Sequence, residues 1–95
     1  MRNMKYKVQI TKNAAKSIKK LGKDTKERIN KALRATLDYY EEIEKAEPDI
    51  KQLKGKYKGL LRLRIGDLRI IFKLDGINLI IMVLEVVKRG DAYKE

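Results

Sequence analysis

The chain has no cysteine, no histidine and no tryptophan, and it has one phenylalanine and one proline. Without cysteine there is no disulfide framework and no thiolate metal site. Without histidine there is no imidazole ligand, no imidazole base and no Ser–His pair. No run approaches the length of a membrane span, and the N-terminus lacks the apolar region of a signal peptide. Cysteine's absence fits a reducing compartment, so the expectation is a soluble cytoplasmic protein with no cofactor and no metal. Acidic residues are also scarce, 13 against 24 basic ones, for a net charge of +11. Such a balance points to nucleic acid, an anionic membrane or an acidic protein partner.

The charge is uneven. Residues 1–34 carry 12 basic and 2 acidic groups, residues 35–50 carry 1 and 6, residues 51–73 carry 8 and 1, and residues 74–95 carry 3 and 4. The 95 residues form one small domain, spanning 1–95, with residues 88–95 as a polar tail. Either Met1 or Met4 can serve as the start.

The most informative stretch is Leu61-Arg62-Leu63-Arg64-Ile65-Gly66-Asp67-Leu68-Arg69-Ile70-Ile71-Phe72. Apolar and basic residues alternate, which predicts a strand with one face in a core and the other outward. Gly66-Asp67 predicts a tight two-residue turn, with Gly66 free to take positive φ. That register sets Leu63 opposite Ile70, Leu61 opposite Phe72 and Arg64 opposite Arg69, with Arg62 on the arginine face. Two guanidiniums about 5.5 Å apart repel by roughly 3 kcal/mol at an effective dielectric near 20. A face built this way is suited to receive phosphate.

Elsewhere, Tyr6, Val8 and Ile10 alternate with polar residues as a first strand. Thr11 is placed to cap a short helix carrying Ala14, Ile18 and Leu21 on one side and Lys12, Lys16, Lys19 and Lys20 on the other; Gly22 stops it. Asp24, with Glu27 three residues on, predicts a capping box. The helix behind it carries Ile29, Leu33, Thr36, Leu37, Tyr40 and Ile43 at helical spacing, and Glu47-Pro48 closes it. The two helices should form an antiparallel hairpin. Residues 49–59 read as a basic loop. Strands follow over Leu60–Ile65, Leu68–Leu74 and Ile77–Val87, the last two joined by Asp75-Gly76 in a two-residue turn that pairs Phe72 with Leu79 and Ile70 with Ile81. Both faces of the final strand are apolar, which predicts an interior strand. The fold class is α+β: a strand, a helical hairpin packed on one sheet face, and a three-stranded antiparallel meander.

Chain order and residues together resemble the RelE/ParE superfamily of toxins from toxin–antitoxin modules. The resemblance runs from Lys5 to Tyr93. It is carried by Leu53-Lys54-Gly55, by Gly59-Leu60-Leu61-Arg62-Leu63-Arg64, by Gly66 to Phe72, and by Val86-Val87-Lys88-Arg89 with Tyr93. The RelE branch cleaves mRNA in the ribosomal A site, and the ParE branch poisons DNA gyrase. Carried over by position, the basic cluster of RelE-type enzymes falls on Arg62, Arg64 and Arg69, the late arginine on Arg89 and the C-terminal tyrosine on Tyr93. All five positions hold compatible chemistry, which favours the nuclease.

The reaction so implied is attack of a ribose 2′-oxygen on its own 3′-phosphate, which needs deprotonation, charge neutralisation and a proton for the leaving 5′-oxygen. Arg69 and Arg62 are the candidate phosphate clamp, because a planar guanidinium binds two oxygens at once. Arg89 is the candidate for leaving-group assistance, and Tyr93 for stacking on or orienting a nucleotide. Arg64 takes the position of the family's proposed base, where some relatives have lysine. Arginine holds its proton, so the role expected of Arg64 is electrostatic activation, with ribosomal RNA or water completing proton transfer. Lys54, Lys56 and Lys58, and Lys16, Lys19 and Lys20, are candidate RNA-binding residues. The acidic run from Asp38 to Asp49 either repels nucleic acid from one end of the second helix or is a solvated face.

The resemblance also implies a separate RelB-like antitoxin chain in a hetero-oligomer, with the ribosome and mRNA as further partners. The rival readings are a ParE-type gyrase inhibitor and a non-catalytic, basic RNA- or ribosome-binding protein.

Overall fold

The computed structural model describes residues 5–41 and 48–88. In chain order they form β1 (Lys7–Ile10), α1 (Lys12–Lys19), α2 (Lys23–Tyr40), β2 (Ile50–Gln52), a 3-10 turn (Gly55–Tyr57), β3 (Leu61–Ile65), β4 (Leu68–Asp75) and β5 (Ile80–Lys88). The strands make one mixed sheet in the order β1-β5-β4-β3-β2. β1 runs parallel to β5, and all other neighbours are antiparallel. The α+β plan holds, with one strand more than the sequence predicts. That strand is β2, inside the segment read as a loop. It pairs through Ile50↔Leu63 and Gln52↔Leu61. Three residues behind a proline are too few to display a period.

Helix placement follows from caps and buried stripes. Thr11 Oγ1 accepts from Ala14 N at 3.2 Å, capping α1, and donates to Leu84 O at 3.0 Å, which ties the helix to β5. α2 starts earlier than expected. Gly22 is its N-cap and Asp24 lies in its first turn, so the Asp24–Glu27 spacing is not a capping box. There the Asp24 carboxylate still complements the positive end of the helix dipole. At the other end Glu41 Oε2 accepts from Tyr6 N at 2.7 Å, joining α2 to the approach to β1. α2 ends at Tyr40 with Glu41 as its C-cap, short of the closure expected at Glu47-Pro48; Ile43 and Glu47 themselves lie outside the described residues.

Ala14, Ile29 and Leu33 bury their side chains against Leu63, Leu68, Ile70, Phe72, Ile81 and Val83. Phe72 is wholly buried, with the Tyr40 ring edge-on at 6.4 Å. Truncating such a residue to alanine costs about 3–5 kcal/mol. Burial also pushes the Tyr40 phenol above its ordinary pKa, with Tyr39 and Tyr6 adding to the shift. Thr36, the polar member of the helix stripe, is buried and donates to Ala32 O at 2.8 Å.

The β3–β4 hairpin has the expected register, Leu61↔Phe72, Leu63↔Ile70 and Arg64↔Arg69. The β4–β5 register differs. Asp75 faces Ile80, Phe72 faces Val83, and a bulge at Ile71/Phe72 sets Ile70 opposite Val86. The cause is the Asp75 side chain. Its Oδ1 accepts from Ile77 N at 3.0 Å and Asn78 N at 2.9 Å, and Oδ2 from Asn78 Nδ2 at 2.9 Å. These bonds organise a longer connection in place of the two-residue turn, and Leu79 takes a φ of 57° to leave it. Phe72 exchanges Leu79 for Val83, an even shift, so Ile81 and Val83 keep the core face. Ile77, expected in the strand, is 93% exposed. β5 is interior as predicted, between β1 and β4.

Candidate functional site

Strand alternation turns Leu61, Leu63 and Ile65 toward the helices and Arg62 and Arg64 to the opposite sheet face, where Arg69, Ile71 and Lys73 of β4 also lie. That face carries an apolar patch of its own. Leu53 and Ile71 are buried there, with Tyr57, Leu60 and Val87 packed against them. The outward row of guanidiniums expected from the alternation is therefore modified. Arg62 is only 4% exposed and Arg69 8%, while the Arg64 side chain is 53% exposed.

Each arginine has a distinct setting. Arg62 Nη1 donates to Asp49 Oδ1 at 3.1 Å and to Asp49 O at 3.3 Å. Arg64 donates its backbone N–H to Asp49 O at 2.9 Å, and its Nε lies 3.9 Å from Asp49 Oδ2. Arg69 curls back over its own hairpin, Nη1 donating to Gly66 O and Leu68 O at 3.1 Å each. Gly66 has a φ of +58°, and a Cβ there would stand 2.6 Å from Arg28 Nη2. The turn therefore needs glycine for its backbone and for the approach of an α2 guanidinium.

Asp49 is not among the site residues that the sequence points to. Its place in the acidic run suggested a role away from nucleic acid or none, yet the residue stands between Arg62 and Arg64. Finding it required β2, the short strand that sets Asp49 beside Arg64. Asp49, 56% exposed, stands beside both guanidiniums, and the half-exposed Arg64 is open to a competing anion.

Lys54, Lys56 and Lys58 are exposed around the 3-10 turn, and Lys56 Nζ lies 5.3 Å over the Tyr57 ring. Lys54 and Lys58 rim an open cavity of about 520 Å³ floored by Leu53, Leu60, Leu61 and Leu74. Leu53 N donates to Leu60 O at 3.0 Å, so this loop springs from the strand positions next to Arg62. Lys16, Lys19 and Lys20 are exposed on and just after α1, in the helix layer; of the three, Lys20 lines a pocket with Leu68, Val87 and Lys88 at the end of β5. Arg89 and Tyr93 lie outside the described residues. β5 ends with Val87 opposite Arg69 and Lys88 opposite Leu68, which brings the chain to the Arg69 end of the site before Arg89. Among the described residues no group of three acidic, cysteine or histidine side chains is disposed to hold a metal, and no helix is long and apolar enough to cross a membrane.

Residues 8–93 match the family model described as the ParE toxin of the parDE type II toxin–antitoxin system. The archaeal RelE–RelB complex from Pyrococcus horikoshii contains a chain 30% identical, with a TM-score of 0.70 over 94% of this chain and 100% of that one. The RelB–RelE antitoxin–toxin complex from Methanococcus jannaschii gives 22% identity and a TM-score of 0.64 over 84% and 88% of the two chains. The isolated RelE toxin of E. coli gives 20% identity and 0.68 over 92% and 87%. At that identity the last two speak for the fold alone. A search of curated proteins finds no match.

Proposed function

The chain belongs to the ParE toxin family of type II toxin–antitoxin systems, and we propose that it is a ribosome-dependent endoribonuclease that cleaves mRNA in the A site. The observation that carries this reading is the placement of Arg62 and Arg64 on one sheet face, both beside Asp49, with the Arg64 side chain half exposed. A phosphodiester presents the same kind of oxygens as that carboxylate and takes bidentate guanidinium contacts equally well.

In this reading the ribose 2′-oxygen attacks the adjacent phosphorus as the bond to the 5′-oxygen breaks. Arg64, half exposed, meets the non-bridging oxygens, and Arg62, fixed by the edge strand, adds a second guanidinium. Charge growing on those oxygens is what such preset donors stabilise. Arg69 braces the hairpin and extends the positive field. Arg89 assists the leaving oxygen and Tyr93 orients the nucleotide. Lys54, Lys56 and Lys58 hold flanking backbone through salt-sensitive contacts. The protein works in the cytoplasm, where ribosomes are, and is silenced by a separate RelB-like antitoxin in a hetero-oligomer. Support for that partner comes from the Pyrococcus horikoshii complex, in which the similar chain is bound to RelB.

A second reading, inhibition of DNA gyrase, is favoured by the name of the matching family. Purified protein is to be assayed against programmed ribosomes and against gyrase supercoiling in parallel. Cut mRNA with unaffected gyrase supports the nuclease. Inhibited gyrase with intact mRNA supports the alternative.

A further inference from the structure

We propose that Asp49 is the general base of this site, taking the proton from the attacking 2′-hydroxyl, an inference that rests on the ribonuclease reading. The chain has no histidine, and an arginine does not give up its proton in a protein. A carboxylate is the next side chain suited to the task. The attacking hydroxyl sits on the same ribose as the phosphate it attacks, so clamp and base must be neighbours.

Asp49 meets that condition. One carboxylate oxygen lies 3.1 Å from Arg62 Nη1 and the other 3.9 Å from Arg64 Nε. A carboxylate has about four lone-pair positions, so these contacts leave acceptor capacity for a hydroxyl. Exposure of 56% leaves the group open to a substrate arriving from solvent. The backbone supports the role as well. Asp49 O accepts from Arg64 N at 2.9 Å and from Arg62 Nη1 at 3.3 Å, which fixes the residue against Arg62 and Arg64 whatever its side chain does. Glu85, on the same face, lies across β4 opposite Ile71.

In the step itself the 2′-hydroxyl proton passes to an Asp49 oxygen, the O2′–P bond forms and the P–O5′ bond breaks. The departing 5′-oxygen takes a proton from solvent, and Asp49 later returns its own. The products are a 2′,3′-cyclic phosphate and a 5′-hydroxyl end.

The test is single-turnover cleavage of mRNA on programmed ribosomes, with ribosome binding measured on the same preparations. Asp49→Asn keeps an oxygen that accepts from Arg62 but removes the ability to take a proton. Cleavage by this variant should fall by about 10²- to 10⁴-fold, with binding within about threefold of wild type. Asp49→Glu should recover at least about tenfold over the Asn variant. Should the Asn chain fail to fold, Asp49→Ser serves the same purpose. Cleavage by the Asn variant within about threefold of wild type overturns the proposal, as does a fall matched by an equal loss of binding, which marks a structural role. If wild type cuts, Arg64→Ala does not and Asp49→Asn does, only the role of Asp49 fails. If wild type itself leaves mRNA intact, the ribonuclease reading fails and this proposal with it.

Discussion

Arg64 and Arg69 face each other across the β3–β4 ladder and have different oxygen partners: Arg64 Nε lies 3.9 Å from Asp49 Oδ2, while Arg69 Nη1 donates to the turn carbonyls of Gly66 and Leu68. Those oxygen contacts offset the repulsion that a facing pair implies, roughly 3 kcal/mol at an effective dielectric near 20. One guanidinium is left in the open, and two are set into the face.

This division separates the consequences of removing each. Arg64→Ala should leave stability within about 0.5 kcal/mol of wild type while abolishing growth arrest. Arg69→Ala removes charge-assisted bonds to two carbonyls and should cost about 1–3 kcal/mol. Denaturant unfolding beside a growth assay checks both. Equal stability losses for the two variants would contradict the assignment.

The lysines of the β2–β3 connection should act through salt-dependent contacts. Replacing Lys54, Lys56 and Lys58 together by alanine is expected to flatten the plot of log affinity for single-stranded RNA against log salt by about 2, close to 0.7 per lost contact. Replacing Lys16, Lys19 and Lys20, which lie in the helix layer, should flatten it less. Filter binding across a salt series measures both slopes.

The Asp75 connection should be acid-labile. Hydrogen bonds from Asn78, backbone first and then side chain, with one from Ile77, hold the Asp75 carboxyl below its ordinary pKa. A depressed folded-state pKa means stabilisation that is present above the ordinary carboxylate range and lost as pH falls through the lowered value. Amide-exchange protection of Ile77 and Asn78 should therefore fade on acidification. Asp75→Ala should abolish that protection at every pH.

Gly66 is sensitive on two counts. An alanine at its φ of +58° meets the left-handed penalty of about 1–2 kcal/mol, and its Cβ would displace the Arg28 guanidinium. A comparable loss in denaturant stability is expected, with β4 and the rest of the sheet intact by circular dichroism.

What could be read from the chain followed the length of its patterns. Five alternating residues and a Gly-Asp turn set the β3–β4 register without ambiguity, and with it the face shared by Arg62, Arg64 and Arg69. Thr11, capping a stripe of Ala14 and Ile18, announced α1 in the same way. Two features stayed hidden because they depend on side chains meeting across space. A three-residue strand at Ile50–Gln52 has no period of its own and exists through its ladder to β3. The Asp75 carboxylate redirects a turn that its dipeptide alone would have made shorter. The first omission bears on the site, since losing β2 hid Asp49, and the alternation that turned the arginines outward gave no sign that Arg62 and Arg69 would be buried.

The most direct test of the central claim, that the Arg62–Arg64 face grips an RNA phosphodiester for cleavage, is mapping of mRNA 5′ ends by primer extension on programmed ribosomes. New ends within the A-site codon are expected with wild-type protein and none with folded Arg64→Ala. Identical ends from both proteins, or none from wild type, would contradict it.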